Sequence, residues 1–410
     1  MNVALLGFGT VGSSVARILC DLQPSGIHLS HIFNRGIARK MVDWIPSTVI
    51  WTESFDEVLR SDVDVIVELV GGLEPAGSWV RSALDSGKSA VTGNKKLIAA
   101  QGIELDALAR SKGAHLLYGA AVAGGIPVIP GLQQGLAGDR ITRIEGILNG
   151  TCNYILSRME AGDAFADVLA DAQKLGYAEA NPSEDVDGFD ARAKLVILSR
   201  IALRAGIDVE SVACRSITAV DAIDLVYARD LGCTIRQISK AELLPDGASA
   251  AVGPMLVPLL SPLAWSRGTE NMVLVSGQYG GDVVFSGHGA GGNPTAVAVV
   301  SDLIALAHGS GSIDLPSRPT ALTGEFELRH YIRFVVKDAP GIVAEIAGAL
   351  TAEKINIDAL FQRPGYQKDR LPFVVTVEPC AASSLRRALD RIAHAGWLAQ
   401  PPLDLPILGE

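Results

Sequence analysis

The stretch Gly7-Phe8-Gly9-Thr10-Val11-Gly12 decides the fold of the first part of this chain. It ends the apolar run Asn2 to Gly7 and precedes a helical pattern over Ser13 to Leu22. In a GxGxxG turn the first glycine permits tight turning, the second lets backbone N–H groups approach a pyrophosphate, and the third lets helix and strand pack closely. The phosphate then lies at the positive end of the helix. This context favours a dinucleotide-binding turn, and so a nicotinamide-dependent enzyme, over a tight turn without a ligand.

Short apolar segments alternate with helical ones beyond this turn. The strand candidates are Ile27 to Phe33, Asp64 to Leu69, Ser89 to Thr92 and His115 to Tyr118, with a helical pattern at Ser78 to Gly87. Alternation of this kind predicts an α/β fold with a doubly wound parallel sheet of the Rossmann type. We expect residues 1–130 to form this nucleotide-binding domain.

The end of the second strand bears on the choice between NAD and NADP. NAD sites usually place an Asp or Glu there for the ribose hydroxyls. This chain instead has Phe33-Asn34-Arg35, with Arg39 and Lys40 nearby. Arg35 is suited to a 2′-phosphate, so the sequence favours NADP over NAD, with a solvated basic turn as the alternative.

From about Gly131 the pattern changes to longer helices. It predicts a strand at Ile141 to Leu148 and helices at Thr151 to Glu160, Asp163 to Leu175 and Asp187 to Ala205. We therefore expect a separate α+β domain over 131–294. A second glycine cluster, Gly287 to Gly292, precedes the apolar helix Thr295 to Ala307, and we expect 295–318 to pack back on the nucleotide-binding domain.

The C-terminal part begins after a stretch rich in Gly, Ser and Pro. Gly309 to Thr323 reads GSGSIDLPSRPTALT, and we interpret 309–327 as a linker. The tail, 328–404, has a βαββαβ pattern typical of a ferredoxin-like domain. Its predicted strands are Tyr331 to Lys337, Ile357 to Phe361 and Phe373 to Glu378, and its helices are Ile342 to Glu353 and Ala382 to Ala395.

Composition limits the partners. The net charge of −10 argues against nucleic acid and anionic membranes, since both would need a basic surface. No apolar run is long enough to span a membrane. Five cysteines without a CxxC pair indicate neither a disulfide framework nor a zinc site. We therefore expect a cytoplasmic protein that binds neither nucleic acid nor membrane.

Charged residues in two segments are candidates for catalysis. Lys95 follows the strand ending at Thr92, at the sheet edge where ligands bind. Asp187, Asp190 and Lys194 have helical spacings of three and four, so they are expected to share a face beside apolar neighbours. A charge cluster at a buried helix start indicates function. The alternatives are a solvated Lys95 and a surface ion pair between Asp190 and Lys194.

The chain resembles homoserine dehydrogenases. The matching stretches are the glycine turn, ELVGGLEPA (Glu68 to Ala76), TGNKKLIA (Thr92 to Ala99), AAVAGGIPVI (Ala120 to Ile129), GILNGTCNYIL (Gly146 to Leu156), Gly176 to Lys194 and GHGAGGNPTA (Gly287 to Ala296). They extend over most of the first three-quarters of the chain, and several are long and specific.

The resemblance implies a reaction and a set of roles. The family reversibly reduces aspartate 4-semialdehyde to homoserine with NAD(P)H, in threonine, methionine and isoleucine biosynthesis. It implies that 131–294 binds substrate, carries out catalysis and dimerises. Hydride attack on a carbonyl needs a cation or proton donor at the developing oxyanion. The implied roles are Lys194 as general acid, Lys95 as substrate contact and second candidate donor, Asp190 and Asp185 for the substrate amino group, Glu179 where substrate and nicotinamide meet, and Gly176 and Gly291 against the cofactor.

One position departs from the family pattern. The family usually has a glutamate just before the segment that begins at Ala120, and it helps bind a monovalent cation, commonly Na⁺; this chain has Gly119 there. The remaining ligands would be the backbone carbonyls of Val122, Gly124 and Ile126. The resemblance therefore implies a cation site that has lost its anionic ligand.

The segment Asp338-Ala339-Pro340-Gly341-Ile342-Val343 through Asn356-Ile357 resembles an ACT domain. Its turn offers free backbone N–H groups to a ligand carboxylate. Asp338, Pro340, Gly341 and Asn356 are the candidate effector residues, and the resemblance implies threonine as effector. The alternative is a domain used only for oligomerisation. Either way we expect a homo-oligomer, a dimer or a tetramer.

Two other functions stay open at this point. One is a related dehydrogenase for another small aldehyde or hydroxy acid. The other is an inactive amino-acid sensor that keeps the fold. The presence of Asp185, Asp190, Lys95 and Lys194 argues against the first, and the intact glycine turn with Lys194 argues against the second.

Overall fold

The computed structural model describes residues 1–309, 316 and 319–409. The predicted linker at 309–327 and the end of the segment 295–318 include 310–315, 317 and 318, which lie outside the described residues. None of the described helices is both long and apolar enough to cross a membrane.

The N-terminal part contains a six-stranded parallel sheet. Its strands are β1 (Asn2–Leu6), β2 (His28–Phe33), β3 (Ile50–Thr52), β4 (Val65–Glu68), β5 (Ser89–Thr92) and β6 (Leu116–Leu117). Its helices are α1 (Thr10–Leu22), α2 (Phe55–Arg60), α3 (Ala76–Asp85) and α4 (Lys95–Ser111). The strand order is β3-β2-β1-β4-β5-β6, which confirms the predicted Rossmann-type topology.

The turn between β1 and α1 demands glycine at two positions, Gly7 and Gly12. Gly7 has a φ of +102°, in the left-handed region. A Cβ on Gly12 would lie 2.0 Å from the carbonyl oxygen of Gly7. The helix can therefore approach the strand closely only because neither residue has a side chain.

A late helix completes this part of the molecule. Helix α11 (Gly292–Ala307) begins three residues before the predicted start at Thr295 and packs on α1. Val299, Val300 and Leu303 lie in the same core as Val15 and Leu19. The second glycine cluster is thereby brought to the first, at the end of the parallel strands.

The middle part is built on a long antiparallel sheet. Its strands are β7 (Ile141–Ile147), β8 (Ala213–Cys214), β9 (Cys233–Leu244), β10 (Gly247–Pro258), β11 (Glu270–Gly277) and β12 (Gly281–His288). Its helices are α5 (Val128–Pro130), α6 (Gly150–Glu160), α7 (Phe165–Lys174), α8 (Ser183–Val186), α9 (Phe189–Ala202) and α10 (Ala222–Asp230). The sequence analysis predicted only the first of these strands.

The predicted long helix from Asp187 is wrong at its start. Gly188, with a φ of +86°, separates α8 from α9. Asp187 ends the short helix α8, its N–H donating to the carbonyl of Ser183 at 3.0 Å. It therefore does not share a helix face with Asp190 and Lys194, because the left-handed glycine changes the chain direction between them.

The C-terminal part has the predicted βαββαβ order. Its elements are β13 (Glu327–Val336), α12 (Ile342–Ala352), β14 (Ile357–Phe361), β15 (Leu371–Ala381), α13 (Ala382–Ile392) and β16 (Leu398–Ile407). Pairing of Leu256 with Ile407 joins its sheet to the middle one, in the order β12-β11-β7-β9-β10-β16-β13-β15-β14. Buried Asp224 of α10 also accepts hydrogen bonds from Tyr331 (2.7 Å) and Arg333 (2.8 Å) of β13.

Candidate active site

Two cavities meet between the nucleotide-binding part and the antiparallel sheet. The larger has a volume of about 620 Å³, and the smaller about 350 Å³. The larger one is lined by Lys95, Asp190 and Lys194, from the two segments singled out for catalysis, and also by Asn149, Gly176, Glu179, Asp185 and Gly291. The smaller runs from Thr10 and Val11 of the glycine turn, and the cavities share Lys95, Lys194, Ala290 and Gly291. Both lysines therefore lie where a molecule in one cavity would touch a molecule in the other.

Lys194 is fixed inside the protein by two hydrogen bonds. Its Nζ donates to the carbonyl oxygen of Leu148 at 2.7 Å and to Asp190 Oδ2 at 2.8 Å. Its side chain is 11% exposed and that of Asp190 6%. The alternative of a surface ion pair between these two residues is therefore wrong. Asn271 donates to the same Leu148 carbonyl at 2.9 Å, so that carbonyl is shared by two donors.

Lys95 reaches Asp190 from the opposite wall. It is the first residue of α4, whose N-cap Asn94 accepts from the N–H of Leu97. Its Nζ lies 2.5 Å from Asp190 Oδ1, and its side chain is 35% exposed. One carboxylate therefore bridges two lysines, one from each part of the molecule.

Buried Glu68 orders the sheet edge from which Lys95 projects. One carboxylate oxygen accepts the N–H groups of Val70 (2.8 Å) and Gly71 (2.9 Å), and the other accepts the Thr92 hydroxyl at 2.6 Å. These bonds tie the end of β4 to the end of β5. The turn that leads into α4 is therefore held by a buried side chain that lines neither of the two cavities.

Asn149 is a site residue that the sequence analysis missed. Its Nδ2 amide donates to Asp185 Oδ1 at 2.7 Å and to Asp190 Oδ2 at 2.9 Å. Its Oδ1 accepts the N–H of Cys152 at 2.8 Å and caps α6. An Asn just before a helix is a recognisable capping signal, but its contacts to both carboxylates depend on α8 and α9 folding against it.

The charges of the cluster stabilise one another. Burial by itself would raise the pKa of the Asp190 carboxyl, but the ammonium groups of Lys194 and Lys95 outweigh it and hold that pKa well below its usual range. Burial lowers the pKa of Lys95, yet Asp190 reverses this, and the net pKa is raised. Asp185 differs, because burial raises its pKa and the Asn149 hydrogen bond opposes this only in part. Lys95 is thus held charged, whereas Asp185 takes up a proton more readily than an ordinary aspartate.

Only some of the other predicted cofactor residues line the two cavities. Gly7, Phe8, Gly9 and Gly12 form the turn but do not line the two cavities. Asn34 closes the end of β2 by accepting the N–H of Phe8 at 3.0 Å. Arg35 next to it is exposed and has no ion pair in the described part of the chain.

The predicted cation ligands lie in the turn after β6. Val122 and Ile126 are buried, and Gly124, with a φ of +48°, lines the smaller cavity. Gly119 faces a carboxylate, since its N–H donates to Asp302 Oδ2 at 2.7 Å and an added Cβ would lie 2.8 Å from Asp302 Oδ1. Across the described residues there is no group of three or more His, Cys, Asp or Glu side chains that could hold a metal ion.

The predicted effector residues are only partly together. Asp338 and Gly341 line a cavity of about 280 Å³ between α12 and the C-terminal sheet. Pro340 and Asn356 do not line it, and the Asn356 amide donates to Glu378 at 3.0 Å. The turn and the asparagine thus face different surroundings.

The fold and the site define a class of protein: a dinucleotide-binding oxidoreductase with a separate catalytic sheet and a small C-terminal domain. Three family models match the chain, namely "Homoserine dehydrogenase, NAD binding domain" at residues 7–119, "Homoserine dehydrogenase" at 127–304 and "ACT domain" at 330–393. The chain belongs to the homoserine dehydrogenase family and is an oxidoreductase that acts on a CH–OH group.

Individual relatives agree with this assignment. A homoserine dehydrogenase of Mycobacterium tuberculosis is 40% identical over 87% of this chain and 85% of its own length. A homoserine dehydrogenase structure from Thiobacillus denitrificans has a TM-score of 0.89 at 32% identity and covers 100% of this chain and 98% of that one. A hyperthermophilic archaeal homoserine dehydrogenase in complex with NADPH has a TM-score of 0.65 at 26% identity, with 75% and 98% covered.

Proposed function

We propose that this chain reversibly reduces L-aspartate 4-semialdehyde to L-homoserine with a nicotinamide cofactor, a step towards threonine, methionine and isoleucine. One observation carries the proposal: the cavity that begins at the glycine turn and the cavity lined by Asp185 and Asp190 meet at Lys95 and Lys194. The bound nicotinamide would supply the hydride. The chain must then bind the amino-acid end of the substrate and protonate the oxygen that becomes an alkoxide.

Lys194 is assigned the role of general acid. Its ammonium group is almost buried and held by two acceptors, so its position is fixed before the substrate arrives. It donates a proton to the substrate oxygen as negative charge develops there, and it takes a proton from the hydroxyl in the reverse direction. Lys95 is the other candidate donor, and its raised pKa suits a cation that stabilises the oxyanion while remaining charged.

Asp185 and Asp190 are assigned to the substrate ammonium group. Asp190 already bridges two lysines, whereas the side chain of Asp185 accepts from Asn149 alone among the described residues. Asp185 is therefore the freer acceptor for the substrate ammonium group. Asp190 adds a second negative charge to the same site. Glu179 and Gly176 line the same cavity and are assigned to the junction with the nicotinamide.

NADP is proposed as the favoured cofactor. The support is Arg35, exposed at the end of β2 where an NAD site would have a carboxylate. The test compares kcat/KM for NADPH and NADH in wild type and Arg35→Ala. A selective loss of roughly 10-fold or more with NADPH is expected; an equal change with both cofactors contradicts the assignment. Arg60→Ala, a similarly charged variant on α2, is the control.

A monovalent cation such as Na⁺ is proposed at the carbonyls of Val122, Gly124 and Ile126. The chain fits such an ion because Asp302 places a carboxylate against Gly119, where the family has its glutamate. Burial raises the pKa of this carboxyl to about 7 against the opposing hydrogen bond from the Gly119 N–H, and a bound cation would favour its ionised form. The ion would stabilise the turn beside the smaller cavity. Loss of the Na⁺ dependence of the melting temperature in Asp302→Asn would support this.

Domain roles follow from the same assignment. We propose cofactor binding by 1–130 with 295–318, substrate binding, catalysis and dimerisation by 131–294, and regulation by 328–404. Threonine is the proposed effector, in the cavity that Asp338 and Gly341 line, and the protein is proposed to be a homo-oligomer. The five cysteines are unpaired, which suits a reducing cytoplasm. Activity measured with and without threonine, together with light scattering, tests the effector and the oligomer.

The decisive experiment follows NADPH oxidation at 340 nm with aspartate semialdehyde. Turnover is expected, together with formation of homoserine in the product mixture. Absence of turnover in a folded wild-type protein would support the inactive sensor. Turnover only with another small aldehyde would support the related dehydrogenase.

A further inference from the structure

A fourth cavity lies where the middle sheet joins the C-terminal sheet. Its volume is about 470 Å³, within the range of small-molecule sites. It follows β10 from Ser249 to Met255, beside the pairing of β10 with β8 and next to Leu256, which pairs with β16. The two active-site cavities and the turn at Asp338 contribute none of its lining residues.

The walls of this cavity combine apolar and cationic groups. Val252, Leu322 and Phe326 supply apolar surface. Arg215 is already neutralised, since its guanidinium donates to both carboxylate oxygens of Asp404 at 2.8 and 3.0 Å. Arg386 on α13 also lines the cavity, is exposed, and makes no ion pair or hydrogen bond within the described part of the chain. Glu325 lines the cavity too, and its carboxylate accepts the N–H of Ser383 at 2.8 Å, so Arg386 is a lining cation with no carboxylate of the described residues at ion-pair distance.

His330 adds a buried imidazole with incomplete hydrogen bonding, because its ring is close to the Cys380 carbonyl but poorly aligned with it. The residue lines the cavity and is 1% exposed, yet neither ring nitrogen makes a hydrogen bond of good geometry with a described residue. The nearest carboxylate, Asp404, lies 3.8 Å from its Nδ1 and is held by Arg215. Buried polar groups are nearly always hydrogen-bonded, so an imidazole with incomplete hydrogen bonding at a cavity wall indicates a ligand that completes it.

We propose that this cavity binds a small carboxylate with an apolar body. The carboxylate pairs with the Arg386 guanidinium, a donor whose geometry matches it. The imidazole of His330 donates to or accepts from the same polar end. The apolar body lies on Val252, Leu322 and Phe326. A neutral molecule of the same shape would leave Arg386 without its counter-charge and would bind more weakly.

The cavity is linked to the active site by a short segment after β8. Cys214 lines the cavity and its thiol contacts the carbonyl oxygen of Gly188 at 3.7 Å. The Ser216 hydroxyl donates to the carbonyl of Val186 at 3.2 Å. Gly188 caps the helix that carries Asp190 and Lys194. An occupied cavity is therefore expected to change the KM for aspartate semialdehyde, a consequence that rests on the proposed function, whereas binding itself does not.

Binding is tested with a fluorescent anion on the full-length protein. The probe is 8-anilinonaphthalene-1-sulfonate, with saturating NADP⁺ present to occupy the nucleotide-binding part. A saturable site is expected, from which 4-phenylbutyrate displaces the probe and the neutral 4-phenylbutanol at the same concentration does not. Equal displacement by both compounds, or no saturable site, overturns the proposal.

Variants locate the site. Arg386→Ala should weaken the affinity for the probe at least 10-fold, and His330→Phe at least 3-fold. Ala382→Leu, which adds a side chain from α13 to the cavity wall, should reduce the number of sites. Lys354→Gln removes an exposed charge from the same part of the chain and should bind as wild type does. Arg386 is exposed on its helix, so its variant is expected to fold, and unchanged affinity in it refutes the proposal.

Activity separates the two claims. With 4-phenylbutyrate bound, the KM for aspartate semialdehyde should change at least 2-fold in wild type and stay unchanged in Arg386→Ala. Binding without a change in KM refutes the link through Gly188 and leaves the site established. Absence of turnover in every protein refutes the proposed function, while the fluorescence titration still decides the binding site.

Discussion

The two walls of the active site differ in how firmly they hold their lysine. Lys194 lies on a buried helix, with two hydrogen bonds of its own and an Asn149 bond behind its partner Asp190. Lys95 is one-third exposed and projects from the first turn of α4, and among the described residues its ion pair with this wall is the one to Asp190. One wall is therefore set by its own packing, whereas the other completes the site only when the nucleotide-binding part lies against it.

This difference suggests a division of labour. A proton donor must lie at a fixed place relative to the reacting oxygen. A cation that stabilises charge tolerates a looser position, since its effect falls gradually with distance. We therefore expect the two lysines to respond differently to the same substitutions.

The largest effect is predicted for Lys194→Ala. The variant loses the proton donor and one of the two cations that keep Asp190 ionised, so kcat should fall roughly 10³-fold. Lys194→Arg should rescue little, because a guanidinium keeps the charge but does not give up its proton near neutral pH. Single-turnover rates of NADPH oxidation measure both variants.

Lys174→Ala is the matched control for this prediction. Lys174 is 78% exposed on α7, and its one ion pair within the described part of the chain is with Asp171, at 3.6 Å. Its removal should leave kcat within about 2-fold of wild type, because exposed ion pairs contribute little. Substantial rescue by Lys194→Arg would contradict proton donation and assign Lys194 to electrostatic stabilisation.

Lys95 should show a smaller loss and a stronger rescue. Lys95→Ala removes a cation from the oxyanion and is expected to lower kcat/KM roughly 10²-fold. Lys95→Arg keeps the charge beside Asp190 and should recover most of the activity. Steady-state rates at several substrate concentrations measure this, and an arginine variant as inactive as the alanine variant would make Lys95 the proton donor instead.

Asn149→Ser tests whether the positions of Asp185 and Asp190 depend on the Asn149 amide. Serine is also a good N-cap, so α6 should keep its start and the melting temperature should change little. Asp185 and Asp190 lose a shared donor, and we expect the KM for aspartate semialdehyde to rise about 10-fold with a smaller change in kcat. Asn149→Ala, which loses the cap as well, should also lower the melting temperature. An unchanged KM in Asn149→Ser would contradict the positioning role.

The sequence predicted the parts of the fold that local rules determine. The glycine turn was recognisable because Gly7 and Gly12 meet steric demands that other residues cannot satisfy. The C-terminal order followed from strand and helix periodicity. Strand β9 gave no such signal, because Arg236, Gln237 and Lys240 are buried within it and break the alternation of apolar and polar positions.

The site was predictable where spacing alone brings residues together. Asp190 and Lys194 are four residues apart on one helix, and they form a direct hydrogen bond. Asp187 was placed wrongly because the left-handed turn at Gly188 was not recognised. Two other contacts join residues that are distant in sequence: the ion pair of Lys95 with Asp190, and the two hydrogen bonds that the Asn149 amide donates to Asp185 and Asp190. Helical spacing carries no information about such contacts.

The smallest effect concerns the pH dependence of kcat/KM that Asp185 causes. Burial raises the pKa of its carboxyl, with the Asn149 hydrogen bond opposing the rise. The ionised form is the one that binds an ammonium group, so kcat/KM should fall as the pH drops through this raised pKa, at a higher pH than for an ordinary aspartate. Asn149→Ser removes the opposing hydrogen bond and should shift this acidic limb to still higher pH. Asp185→Asn should abolish the limb, whereas Asp171→Asn, an exposed aspartate on α7, should leave it in place. The contrary result is an acidic limb of kcat/KM in the ordinary pH range of aspartate that Asn149→Ser does not move. It would mean that Asp185 does not bind the substrate and that Asp190 alone binds the substrate ammonium group.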